Sequence, residues 1–546
     1  MIQIKAAALF ICLTLLCSGC SKPIQTTGFP VSVVKTENQD LSPDYGDTIV
    51  IALDTVSVVL DPFSNHDPAS GVVTDQIFCG LLSKGPDRRF NCDLAETFEI
   101  ADRSLTFRLK HDVKWHDLEN FTSADVLFTY GQVMEMQGTE LYDHFSRIST
   151  LETPDMYTVI ARYREPWPWA LNDWTVKILA RHVFESKKDT VGYSQLLMGT
   201  GPYKLQEFSS GEKITLTAFD QFHGSIPYLG SQIFRFIPDH SGSAAFLALM
   251  RHEIDMTELT LDQYLNRTPS DEFMSRYNVY HYTDFKGYYC ILYNLDRPFF
   301  QDLRLRNALN TALDRKRIAF RIFYESGRLV NGPFIPGDWA ENITGEVQRY
   351  STSEASLLLN ESGWITEAGG RKKDGQTLSI ELCLDPQDEF MPKIAAQVKS
   401  DWESVEVAVR INSAEKNIQK LVSRDFDAAL VYFKYSDEPD LQSRYWTTDS
   451  IPASGNTGEN YSGFRNTEVD RLWVLARNTS SMQEREMIFH RIQELIVNQT
   501  PATFLFSPDK ILAVDRRFFG IRITPGGILY NLDKWYVPKK FQKYIQ

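Results

Sequence analysis

The sequence predicts a mixed α/β protein built from more than one domain. Three observations carry this. The chain has 546 residues, beyond the size at which one hydrophobic core keeps growing. It holds both segments of period two and segments of helical period. These do not alternate regularly, so a plain Rossmann or barrel plan fits poorly.

Asp47–Leu53 is a short β-rich opening strand. Ser104 to Lys110 alternates apolar and polar residues, which predicts a half-buried strand. Thr122-Ser123-Ala124-Asp125 is a helix start with an acid in the first turn, followed by Val126, Phe128 and Val133. Gly201-Pro202 suits a tight turn between strands. Asp302 caps a further helix, with Leu303, Leu305, Ala308, Leu309, Ala312 and Leu313 as its apolar face. Met482 to Val497 repeats apolar residues at helical spacing and stops before Pro501.

Composition narrows the function. Hydrophobic residues are 43% and charged residues 23%, an ordinary globular balance. The formal charge of −14 makes nucleic acid and anionic lipid poor partners. Aromatic residues at 12% provide for a large core or for a ligand cavity.

The start of the chain reads as an address. Lys5 precedes the apolar run Ala6 to Leu16, which is too short to span a bilayer. Cys17-Ser18-Gly19-Cys20 then resembles a bacterial lipobox, with Cys17 where an aliphatic residue is usual. The expectation is a signal peptide over 1–19, lipid on Cys20 and a tether over 20–46. A flexible chain of that length reaches about 28 Å.

Cys79, Cys92, Cys290 and Cys383 remain after Cys20. They form no zinc spacing with each other or with histidine. Cys79 and Cys92 flank the turn Lys84-Gly85-Pro86-Asp87, and Cys290 and Cys383 both lie on strand-like runs. Each pair is a candidate bridge, with free buried thiols as the alternative. No G-x-S-x-G, H-E-x-x-H, Walker A or G-x-G-x-x-G is present. An enzyme therefore has no positive support, and neither a cofactor nor a metal site is expected.

Five separated segments carry a family resemblance. They are Leu60-Asp61-Pro62 with Ile77 to Leu82 and Asp93 to Glu96; Leu105 to Leu109 running through Trp115-His116-Asp117 to Val126; Gly199 to Leu205; Tyr293-Asn294 with Pro298-Phe299 and Asp302 to Arg315; and Tyr461 to Leu472. In this order they resemble the family 5 extracytoplasmic solute-binding proteins, the peptide, dipeptide and nickel receptors of ABC importers. The family usually has Gly where Leu118 stands and Pro where Asn120 stands, so the turn is expected to differ locally. Arg304 and Arg306 are read as scaffold residues able to pair with nearby acids.

The resemblance implies a type II periplasmic-binding-protein fold: two lobes with a hinge and an extra inserted domain. Domain I would comprise 47–90, 200–285 and 505–546, domain II 91–199 and domain III 286–504. It also implies an extracytoplasmic, lipid-anchored monomer that captures a peptide or other small solute and meets a membrane permease. The alternative is the same fold serving a nickel chelate, haem or an oligosaccharide. An extracytoplasmic enzyme on this scaffold ranks below both.

Peptide receptors of this kind anchor the ligand amine with an acid shortly before a Glu-Pro or Asp-Pro step. Here the stretch is Lys434-Tyr435-Ser436-Asp437-Glu438-Pro439-Asp440, and the anchoring position falls on Tyr435. Asp437 is the nearest acid, and Asp437, Glu438 and Asp440 read equally well as a solvated acidic turn. The ligand-binding candidates are therefore Tyr435, Asp437, Trp446, Asn460 and Tyr461, with His66, Asp67 and Ala69 on the opposite face of the cleft. Core packing is the competing role for Trp446 and Tyr461.

Overall fold

The computed structural model describes residues 41–544, apart from 64–67, 86–87, 102, 166, 168, 188–196, 240, 284–285, 325, 345–348, 414–416, 436–437, 454–457, 480 and 525–526. The signal peptide, Cys20, His66, Asp67 and Asp437 lie outside the described residues.

The predicted elements form. Strand Thr48–Leu53 is buried along almost its whole length. Strand Ser104–Leu109 buries every second side chain, Leu105, Phe107 and Leu109. Helix Ser123–Glu135 starts with a capping box between Thr122 and Asp125, and the second Asp125 oxygen accepts from the Arg181 amide at 3.0 Å. Helix Leu303–Thr311 is capped by Asp302, which also accepts from Nε and Nη2 of Arg304. Leu303 sits at the exposed edge of that helix. Arg306 forms no ion pair among the described residues: its guanidinium is buried and donates to the carbonyls of Phe300, Gln499 and Thr500. It thus closes the end of helix Met482–Gln499.

The large sheet of the described residues has two halves joined by one long strand, Ala502–Asp515. Its first part pairs with Gly287–Tyr293 and its second part with Tyr277–Thr283. The partner changes between Phe506 and Asp509. Pro508, which has no amide to donate, lies at the change. One half adds the parallel strands Ser379–Cys383, Ala408–Asn412 and Ala428–Lys434, and packs cores on both faces. The other half sets Thr48–Leu53 parallel to Ser231–Phe236 and carries its own cores. A separate antiparallel sheet, in the order Ala95–Ala101, Ser104–Leu109, Thr158–Tyr163, Ile148–Asp155, encloses a further core.

Buried charge ties distant segments of the second half. Arg517 bridges Asp47 and Asp255 (2.7 Å to Asp255 Oδ2) and also donates to the Thr48 carbonyl. Lys543 pairs with Asp515 at 3.0 Å.

Several expectations are corrected. All four described cysteines are free thiols. Cys290 and Cys383 lie on opposite sides of Ala428–Lys434, opposite Val431 and Ala429. Two ladder spacings, about 9.5 Å, exceed the reach of a disulfide. Gly201-Pro202 is not a turn between two strands: it leads into strand Tyr203–Ser209, and Gly199 and Gly201 pack instead. Each sits against backbone: a Cβ on Gly199 would lie 1.8 Å from the Ile77 carbonyl oxygen, and one on Gly201 2.5 Å from that of Gln76. The run Gly199 to Tyr203 is a packing junction.

His116 completes this junction. Its Nε2 lies 3.1 Å from the Gly201 carbonyl, and its Nδ1 accepts from the Gly199 amide at 3.4 Å. This pattern requires a neutral ring with the proton on Nε2. Burial holds its pKa down at about 4 against an ordinary 6.5. A lowered base stabilises the fold above the unfolded pKa, and that contribution is lost as pH falls from about 6.5 to 4. The full shift is worth roughly 3 kcal/mol. His116→Gln is expected to be less stable than wild type at pH 7, with the gap closing by pH 4 in urea titrations. A gap independent of pH would contradict this.

The turn at Leu118 keeps a left-handed residue. Leu118 has φ 77° and donates its amide to the Trp115 carbonyl at 2.8 Å, while its side chain is exposed. That conformation costs a residue with a Cβ about 1–2 kcal/mol, and glycine gives back part of this as unfolded-chain entropy. Leu118→Gly is expected to raise stability by about 0.5–1 kcal/mol, read as a higher urea midpoint.

Candidate functional site

Strand Ala428–Lys434 ends at Tyr435, whose amide donates to the Lys286 carbonyl at 2.8 Å. The carboxyl ends of parallel strands are where α/β sheets open a crevice. The chain then turns through the short helices Pro439–Gln442 and Ser443–Trp446. Facing this end is a hairpin of strands Leu82–Lys84 and Phe90–Cys92, which belongs to the body holding the antiparallel sheet.

Ion pairs cross between the two bodies. Lys84 meets Glu438 at 3.4 Å, Arg88 meets Asp338 at 3.7 Å and Arg89 meets Glu486 at 2.8 Å. The first two are largely buried and the third lies at the rim. Arg88 is held at φ 64°, a left-handed position a non-glycine residue seldom takes. Such strain is kept where surrounding structure enforces it, and it clusters at functional sites.

Asp338 is the centre of this group. Its Oδ1 accepts the Ala340 amide at 2.9 Å, and its Oδ2 is buried without a hydrogen-bond partner among the described residues. Burial pushes its carboxyl up, against the pull of Arg88. The Tyr435 hydroxyl faces Asp338, is buried without a completed hydrogen bond, and is pushed well up by burial and by that carboxylate. The Arg88 guanidinium stands 5.7 Å from the Tyr435 ring.

Glu438 and Asp440 do not form a solvated turn. Both are buried: Glu438 pairs with Lys84, and Asp440 with Arg485, which lies 5.3 Å from the Trp339 ring. Burial raises the Glu438 carboxyl, with Lys84 the largest opposing influence. Asp440 Oδ1, Gln442 Oε1 and Trp446 Nε1 are likewise buried without a hydrogen-bond partner among the described residues. Native interiors seldom leave such groups unpaired, so their concentration at one strand end points to a place where a ligand or ordered water completes them. Next to it opens a cleft lined by Leu105, Tyr163, Trp167 and Leu171 on one side and Met482 and Arg485 on the other.

The sequence candidates divide. Tyr435 stands in this cluster. Trp446 is fully buried and packs edge-on against Phe433, in keeping with core packing, though its indole nitrogen is unpaired. Tyr461 is half-buried against the same core. Asn460 is fully buried and occupied by its own loop: it donates to the Thr447 and Phe464 carbonyls and accepts from Ser462 and Phe464. Ala69 packs on the core of the other sheet half, in helix Pro68–Ile77. Arg88 and Asp338 escaped sequence reasoning. Neither lies in a motif, and they meet only through the fold; the turn ahead of the Arg88-Arg89 pair was the one local signal.

No helix among the described residues is long and apolar enough to cross a membrane. The model of the bacterial extracellular solute-binding proteins, family 5, matches residues 90–467. The chain is 25% identical over 521 residues to the oligopeptide-binding protein AppA of Bacillus subtilis, covering 91% of this chain and 93% of that one. Among solved structures, the MppA periplasmic murein tripeptide binding protein in its unliganded open form aligns with a TM-score of 0.76 at 18% identity, over 91% of this chain and 98% of that one. NikZ from Campylobacter jejuni in complex with Ni(L-His) aligns with a TM-score of 0.62 at 23% identity, over 90% and 99%. The fold is thus the two-lobed α/β plan of the type II periplasmic binding proteins. With the family model spanning more than half of its length, the chain belongs to the family 5 bacterial extracellular solute-binding proteins.

Proposed function

We propose that the chain is the lipid-anchored receptor of an ABC import system, capturing a peptide between its lobes and delivering it to a membrane permease. The observation that carries this reading is the cross-lobe cluster around Asp338. It sets carboxylates (Asp338, Glu438) and cations (Lys84, Arg88) side by side where the two bodies meet, next to the buried Trp339 and Tyr435. That pairing of signs suits a ligand with a free amine and a free carboxylate, and a peptide has both. The near full-length similarity to an oligopeptide-binding protein supports the same reading.

In this account domain I comprises 47–90, 200–285 and 505–546, domain II 91–199 and domain III 286–504. The hinge lies where Ala502–Asp515 changes partner, and closure brings the hairpin onto the strand end. The receptor works as a monomer and catalyses nothing. Cys20 carries the lipid; a Cys20→Ala chain labelled by fatty acid as strongly as wild type would remove the anchor from this account.

A second reading has its own observation. Tyr435, a neutral phenol, holds the position where peptide receptors place an acid. This favours a non-peptide solute such as a nickel chelate, haem or an oligosaccharide. A thermal-shift screen of the chain against peptide, sugar, haem and metal-chelate pools separates the two. Ligand at a hundredfold excess over Kd stabilises by about 2.7 kcal/mol, which is readily seen. A shift with peptides alone supports the first reading, and a shift only with another pool supports the second. No shift with any pool would contradict both.

A further inference from the structure

Away from the crevice, three side chains distant in sequence come together. Cys79 follows helix Pro68–Ile77, Asp93 follows the hairpin, and His223 lies in the loop after strand Lys213–Ala218. The thiol, one carboxylate oxygen and one ring nitrogen all lie within 4.8 Å of one another. His223 Nε2 is 3.1 Å from Asp93 Oδ1. The His223 side chain is 2% exposed, and its Nδ1 is buried with no partner among the described residues. Asp93 remains 21% exposed, which leaves a path from solvent. The buried Thr200 hydroxyl stands beside the Cys79 thiol.

A tetrahedral zinc ion takes sulfur at about 2.3 Å and nitrogen or oxygen at about 2.0–2.2 Å. Donors on such an ion are then about 3.5 Å apart, so this trio needs only small side-chain movement. One sulfur, one nitrogen and one oxygen form a borderline donor set that suits zinc better than magnesium or calcium. The opposing charge is accounted for: Lys177, near Cys79 and Asp93, is paired with Asp75 at 2.7 Å. No motif spacing shows this trio, since residues 79, 93 and 223 meet only through the fold.

We propose that Cys79, Asp93 and His223 form a binding site for a borderline divalent cation, zinc, with its fourth position left to water or Thr200. Bound there, the ion would fasten the 219–223 loop to the hairpin base. The site shares no residue with the ligand-binding cluster around Asp338.

The test uses the full chain with Cys12, Cys17 and Cys20 changed to serine, stripped with chelator and titrated with zinc and with cobalt. Expected are one zinc per chain and a thiolate-to-cobalt charge-transfer band. Cys79→Ser should abolish the band and lower zinc affinity at least tenfold. Asp93→Asn, partly exposed and nearly isosteric, should lower affinity at least tenfold while keeping the band. Circular dichroism of the metal-free variants checks that they are folded, and Cys92→Ser should behave as the parent. Absence of zinc binding by the parent, or zinc affinity unchanged in Cys79→Ser or in Asp93→Asn, would overturn the proposal.

Discussion

Gly199→Ala is expected to lower stability by about 3 kcal/mol, the upper end for overpacking a native interior. The added methyl would lie 1.8 Å from the Ile77 carbonyl oxygen. That oxygen also accepts the Gly201 amide at 2.9 Å, so it cannot retreat without loosening the junction. No rotamer relieves the clash, because a Cβ has none. Gly71, in the same helix as Ile77, is the control: a methyl there meets nothing within 4 Å. Gly71→Ala should be neutral or stabilising by up to about 1 kcal/mol. Urea unfolding of both variants decides the matter. A Gly199→Ala protein within about 1 kcal/mol of wild type would show that the junction is looser than this packing requires.

Arg517→Met is expected to cost about 3–5 kcal/mol. The substitution keeps much of the side-chain volume and removes the cation between Asp47 and Asp255, both almost inaccessible. Two carboxylates would then face each other, with Lys543 3.5 Å from Asp255. These residues join the first strand, the middle of the chain and its last segment, so the loss should spread over that whole half. Asp255→Asn in the Arg517→Met background should recover part of the loss, because it removes one of the stranded charges. A strictly additive double variant would contradict the coupling.

The local parts of this structure were legible because their causes are local. The alternation of Ser104–Leu109, the Thr122 and Asp125 cap and the Asp302 cap each depend on neighbours a few residues away. What escaped depends on contacts between distant segments. Arg306 read as a partner for acids, yet its donors serve carbonyls about 193 residues further on. Gly201-Pro202 read as a turn, whereas Gly199 and Gly201 are there for close approach to Ile77 and Gln76. The acidic run Glu438 to Asp440 gave no hint of burial, because the cations that neutralise it, Lys84 and Arg485, come from other elements. Tyr435 was found through the spacing of a resembling motif, whereas Asp338 and Arg88 have no motif to mark them.

The Asp338 carboxylate, buried where the two bodies meet, is expected to meet the charge of the bound solute. The most direct test is calorimetric titration of the peptide identified by the thermal screen into wild type and into Asp338→Asn. The variant keeps the shape and removes the charge. Losing one partner of a buried, paired charge costs about 2–5 kcal/mol in binding, a fall in affinity of roughly thirtyfold to several thousandfold. Such a loss is expected for the free peptide, with little change for the same peptide acetylated at its amine. Equal affinity of wild type and Asp338→Asn for the free peptide would contradict it.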